Sequence, residues 1–336
     1  MVFLQLFAML IVILIAAEVF TNALEHLGEK LGISEGVTGS LFAAVGTALP
    51  ETLVPLLAIF SYTSSSVGSN AGHEIGVGAI LGAPLMLATL SLALMAISVW
   101  KRRGTQGHIR PERTGLVRDL NFFIIAFGFA AVAMYVPHSL PAVRYGIGAI
   151  MVMTYFIYVM MTLRASKALV EEGHATEADS DMLLCKIGLP NNMAVIIAQL
   201  ILGLGLLIFG AKGFINEVEG AAEIIGISAL LLSLLIIPIA TELPEKVNSI
   251  LWIRKGKDTL AFGNITGAMV FQGTLLPAIG IMLTPWQPRQ EVVWGIVMTL
   301  LAAVWLRYLI AKGGIRVWHL LVNGTMYITY LFIVLS

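Results

Sequence analysis

Charge is what this sequence has least of. Asp, Glu, Lys and Arg make up 12% of its 336 residues, against about 25% in soluble domains, and that scarcity excludes an ordinary water-soluble globule. Cysteine is nearly missing too. Cys185 stands alone, which excludes an intramolecular disulfide and a cysteine metal cage and leaves the redox compartment open. The acidic and basic side chains cancel to a net charge of zero, so nothing points to nucleic acid as a partner. No phosphate loop, nucleophile elbow or His-Glu-x-x-His signature is present, so an enzyme is not expected and no cofactor is called for. Met1 to Phe20 has neither a basic leader nor a small-x-small cleavage site and reads as a first span rather than a signal peptide.

What is present is apolar length. Hydrophobic residues make up 58% of the chain, mean hydropathy is +0.91, and apolar runs near the ~20 residues that span a bilayer recur between short polar breaks. The expected fold class is all-α, a polytopic membrane protein, because stretches such as Ala79 to Val99 show none of the alternation of a membrane β-barrel. Breaking the chain at polar clusters gives ten spans: 2 to 24, 36 to 60, 75 to 99, 119 to 136, 143 to 164, 191 to 214, 222 to 250, 259 to 283, 291 to 310 and 316 to 335. Lys and Arg gather on one side of this arrangement, above all in Lys101, Arg102, Arg103, Arg110, Arg113 and Arg118 and in Arg254, Lys255 and Lys257. The positive-inside rule makes that side cytoplasmic and puts both termini outside. The basic loop 101 to 118 is read as fixing topology. The acidic stretch between Ser166 and Pro190 is read as a solvated linker. The sequons at Asn264 and Asn323 fall inside apolar spans and read as chance matches.

The chain also repeats itself. Gly46-Thr-Ala-Leu-Pro-Glu51 in span two matches Ala240-Thr-Glu-Leu-Pro-Glu245 in span seven, and Gly78-Ala-Ile-Leu-Gly-Ala-Pro-Leu-Met-Leu87 in span three matches Gly263-Asn-Ile-Thr-Gly-Ala-Met-Val-Phe-Gln272 in span eight. Both pairs belong to one duplicated unit of five spans. An odd number of crossings makes the second copy enter the membrane from the other side, the architecture of many secondary transporters. The expected organisation is a first repeat over 1–165, a cytoplasmic linker over 166–190 and an inverted second repeat over 191–336.

A charged carboxylate in mid-span costs about 2.5 to 3.5 kcal/mol on insertion scales, so Glu51, Glu242 and Glu245 demand compensation. In helical geometry Thr47 and Glu51 share one face, as do Thr241, Glu242 and Glu245. Pro50 and Pro244 lack an amide N–H and are expected to release the carbonyls of Gly46 and Ala240. An all-oxygen set of this kind suits calcium better than a soft transition metal. The bland counterpart is a local pair between Glu242 and Lys246, one turn apart. Glu18 in span one reads equally as a pathway acid and as a membrane-edge residue. A membrane enzyme using the glutamates with His73 or His108 is the reading from another class, and His73 with Glu74 is expected as a solvated pair in a loop before span three.

On these motifs the sequence resembles the calcium/cation antiporter superfamily, in particular prokaryotic sodium/calcium exchangers, whose paired repeats carry Gly-Thr-Ser-Leu-Pro-Glu on spans two and seven. The resemblance covers essentially the whole chain. It implies that Glu51 and Glu245 are the central acidic ligands, that Thr47 and Thr241 are threonine ligands, and that spans one and six form the moving gate. It also exposes departures: Ala48 and Glu242 stand where the family keeps serine, and Ala83, Leu87 and Ala268 replace polar groups of its Gly-Ser-Asn-x-x-Asn pattern. Gln272 is then the one amide at a ligand position.

The function this implies is a cation antiporter of the cell (inner) membrane, exchanging calcium for sodium or protons by alternating access. Its partners are inorganic cations and the lipid bilayer, and the sequence is silent on oligomeric state. Protons are favoured over sodium because several polar positions are lost and like charges at close range resist ionising together. The alternatives are another cation, namely magnesium, manganese, sodium or potassium, and a transport-dead scaffold.

Overall fold

The computed structural model describes residues 2–30, 44–63, 69–170 and 181–336. In chain order it consists of α1 (Val2–Lys30), α2 (Ala44–Thr63), α3 (Ser69–Met86), a π-helical turn (Leu87–Ser91) leading into α4 (Leu92–Arg103), β1 (His108–Ile109), α5 (Arg113–Ala133), α6 (Pro141–Val170), α7 (Leu183–Lys186), α8 (Met193–Ile225), α9 (Ala229–Thr241), α10 (Leu243–Arg254), α11 (Asp258–Leu283), α12 (Gln290–Ala311), β2 (Ile315–Arg316) and α13 (Val317–Leu335).

Among the described residues eight helices are long and apolar enough to cross a membrane. The shorter apolar segment Ala229–Ile239 ends just before the second motif, whereas Glu51 of the first motif lies on the 20-residue α2. The sequence reading of one span over 222–250 is corrected. Gly226 takes a left-handed conformation (φ 81°) and ends α8, which therefore runs well past the expected end of span six. The following helix is cut at Glu242 (φ −84°, ψ 4°), with Pro244 in the first turn of α10. Proline is tolerated there because the first amides of a helix have no carbonyl to bond. His73 and Glu74 are also corrected, since both lie inside α3 rather than in a loop, and Glu74 pairs with Arg289.

Helix 3 is the centre of the packing. Most residues of 71–103 and of α11 are buried, whereas only a minority of the described residues of α1 and α8 are. Helix 3 packs against α2, α9, α11 and α12, while α1 and α8 lie mainly along each other. Glycine makes the α3–α9 contact possible. A Cβ on Gly78 would fall 1.9 Å from Ser233 Oγ, and one on Gly82 would fall 2.1 Å from the Leu234 carbonyl oxygen. In a membrane, where apolar side chains gain nothing by leaving lipid for one another, such close backbone approach is a main source of helix association.

Buried polar contacts lock the remaining elements. Asn323 donates to the carbonyls of Ala88 (2.8 Å), in the π-helical turn, and Ala302. The buried Arg144 donates to the carbonyls of Ile281, Thr284 and Pro285, closing the C-terminal end of α11. The basic loop does more than carry charge: Arg103 forks onto both carboxylate oxygens of Asp258 (2.8 and 2.9 Å), and β1 pairs antiparallel with β2. Most of the acidic linker, residues 171–180, lies outside the described residues.

Candidate cation site

The break between α9 and α10 places two carboxylates at one point. Glu242 occupies the junction and Glu245 the first turn of α10. Glu51, on α2, meets them from the other half of the chain, and oxygens of all three carboxylates lie within 4.8 Å of one another. Glu51, Glu242 and Glu245 are 4%, 0% and 5% exposed. Among the described residues this is the one group of three or more acidic, histidine or cysteine side chains close enough to share an ion, and it holds no histidine.

Neighbouring helices complete the lining. Gln272 of α11 donates its Nε2 to Glu242 Oε1. Thr241 is buried and its hydroxyl donates back to the Ile237 carbonyl (3.2 Å), leaving the oxygen lone pairs for another partner. Asn264, one of the discounted sequons, donates to the Glu245 carbonyl (3.0 Å) and to Ser249 Oγ (2.9 Å), bracing α10 against α11. Asn264 lies in the duplicated motif of span eight, but the motif did not mark it out, because its role depends on two helices crossing.

The sequence candidates therefore divide. Glu51, Glu242, Glu245, Gln272 and Thr241 are described and buried, and the three carboxylates are brought together. The Thr47 side chain lies outside the described residues. Glu18 is exposed on α1. The local Glu242–Lys246 ion pair is not formed among the described residues. Instead Lys246 Nζ donates to the Pro238 carbonyl (2.8 Å) and to Met86 Sδ (3.0 Å) on α3. The expectation about proline-freed carbonyls named Ala240, but the engaged oxygen is that of Pro238, which also accepts from the Glu242 amide (3.2 Å).

The donor count is short where a cation would need it to be. Both oxygens of Glu51, Oε2 of Glu242 and Oε1 of Gln272 are buried with no hydrogen-bond donor among the described residues. A buried acceptor without a partner costs about 1 to 3 kcal/mol, and more when charged. Hard cations with six to eight oxygen ligands satisfy such groups, and soft metals do not favour them. A further buried acid, Asp119, is unlike these: Thr266 (2.8 Å) and Tyr158 (3.1 Å) both donate to it, so it serves the packing of α5, α6 and α11.

A helical membrane protein whose buried carboxylates converge at a helix break has the form of an ion carrier. The family pattern described as sodium/calcium exchanger protein matches residues 1–164 and 195–336, and the chain belongs to that family. The inner membrane protein YrbG of Escherichia coli (strain K12) is 24% identical over 281 residues, covering 82% of this chain and 78% of its own length. Among solved structures, the H+/Ca2+ exchanger CAX superposes with a TM-score of 0.73 at 16% identity, covering 98% of this chain and 82% of CAX. The sodium-calcium exchanger NCX_Mj superposes with a TM-score of 0.59 at 19% identity over 99% of each chain. At these identities the two structures establish a shared fold.

Proposed function

We propose that this protein is a secondary-active antiporter that carries calcium at Glu51, Glu242 and Glu245, with Gln272, Thr241 and Thr47 as further oxygen ligands, in exchange for protons or sodium. The observation that carries the reading is the meeting of three buried carboxylates from two separate helices within 4.8 Å. Their like charges repel in a low-dielectric setting, and a divalent cation or bound protons relieve that repulsion.

In this reading the chain makes ten crossings as two inverted repeats, 1–165 and 191–336, joined by a cytoplasmic linker over 166–190, with both termini outside. The pair α1 and α8 supplies the moving part: these helices are largely exposed to the surroundings and lie against each other. Sliding of such a pair past a buried α2–α3–α9–α11 core exposes the carboxylates to each side in turn.

Reconstitution into liposomes tests this reading. Calcium uptake against an imposed proton or sodium gradient is expected from the wild type and not from Glu51→Gln or Glu245→Gln. Uptake driven by sodium and indifferent to pH overturns the proton form alone. Competition by magnesium and manganese ranks the other cations. A wild type that moves none of them overturns the reading as a whole.

A further inference from the structure

We infer that Lys246 is a built-in monovalent cation of this site, so that the three carboxylates take up one divalent cation and no monovalent ion with it. The inference rests on the reading of Glu51, Glu242 and Glu245 as cation ligands.

Lys246 directly succeeds Glu245 in α10 and is 7% exposed. A buried ammonium is costly unless its donors and its charge are compensated. Its donors reach the Pro238 carbonyl, across the helix break, and the Met86 sulfur. Its charge interacts with Glu242, Glu245 and Glu51 together. Because it is not in ion-pair contact with Glu242, Oε2 of Glu242 and both oxygens of Glu51 stay available to an ion while the ammonium still offsets part of the charge.

Two observations agree on a single divalent cation. The first is formal charge. Three carboxylates and one ammonium leave a surplus of two negative charges, which one divalent cation cancels, and residual charge in a low-dielectric interior is expensive. The second is the lining. The α3 wall meets the ammonium through the thioether of Met86, and the stretch 83–87 around that residue carries no side-chain oxygen. Sodium or potassium needs oxygens. The Pro238 carbonyl stands here, and Lys246 already donates to it. The side chain thus supplies the charge of a second ion at a wall that has little else to hold one.

The test is equilibrium binding of radiolabelled calcium to the purified full chain in detergent, at constant ionic strength. N-methylglucamine is the background cation, and potassium or sodium is added in separate arms. Wild-type affinity is expected to stay unchanged or to weaken through competition. Lys246→Met leaves a surplus of three negative charges, so its calcium affinity is expected to rise about tenfold on adding at least one of the two ions, within the usual range of coupling between two bound ligands. Adding Glu242→Gln to Lys246→Met restores the charge count and is expected to abolish that dependence at weaker overall affinity. A wild type whose affinity rises with either ion overturns the inference, as does a folded Lys246→Met that binds calcium with no such rise. If Lys246→Met does not fold, Lys246→Gln replaces it, and the wild-type arm stands by itself. A wild type that binds no calcium overturns the functional reading, and this inference falls with it.

Discussion

Gln272 on α11 donates its side-chain amide to the carboxylate of Glu242, tying the break between α9 and α10 to the middle of a buried neighbouring helix. Replacing Gln272 with Leu keeps the bulk but leaves Glu242 Oε1 buried without its donor, a cost of about 1 to 3 kcal/mol. Calcium binding measured by titration calorimetry is expected to weaken about tenfold, which corresponds to about 1.4 kcal/mol. Unchanged affinity together with unchanged stability would show that the bond has no part in shaping the site.

Glu51 predicts an opposite pair of effects on stability and binding. Its oxygens have no donor among the described residues and face two further carboxylates. Glu51→Gln removes one of three crowded charges, so the cation-free protein should gain about 1 kcal/mol, a rise of about 2 to 4 °C in Tm. The rise in Tm that calcium gives the wild type should be absent from the variant, because a ligand stabilises only the state it binds. Thermal unfolding in detergent with and without calcium reads both.

Helix approach at Gly82 is equally open to measurement. Gly82→Val puts carbon where the Leu234 backbone lies and should destabilise the protein by about 1 to 3 kcal/mol through overpacking. Gly128, on α5, has nothing within 4 Å of an added Cβ. Gly128→Ala should therefore stabilise by up to about 1 kcal/mol through helix propensity. Equal Tm changes in the two variants would remove the case for close α3–α9 packing.

Outside the membrane, Glu112 caps α5, accepting from the amides of Thr114 and Gly115. Slight burial raises its pKa, but those two hydrogen bonds and the nearby Arg118 outweigh it and hold the carboxyl below its ordinary value. A depressed carboxylate stabilises the fold fully above its ordinary pKa and loses that contribution as pH falls through the lowered, folded value. Amide exchange at Thr114 and Gly115 should accelerate across that window, and Glu112→Gln should flatten the response.

Much of this was legible in the residues. Span-length apolar runs have one solution in hydrocarbon, a helix with every backbone group bonded internally, so composition alone carried the all-helical class. The duplicated Thr-x-x-Pro-Glu motifs singled out Glu51 and Glu245, since an acid in mid-span is too costly to be incidental. Family membership then emerged from the same motifs.

Where the side chains go was decided by the crossing of helices, which no local pattern encodes. The spacing of Glu242 and Lys246 predicted a pair within one helix, but the helix is cut at Glu242 and the ammonium reaches Pro238 and Met86 instead. Asn264 looked like a chance sequon and became a brace between α10 and α11. Gly78 and Gly82 marked a repeat in the sequence, and only the neighbouring α9 backbone shows why a side chain has no room there. Chemistry that depends on one residue's cost in the membrane can be read from the chain itself. Chemistry that depends on which groups face each other belongs to the packing, because one helix break reassigns every partner beyond it.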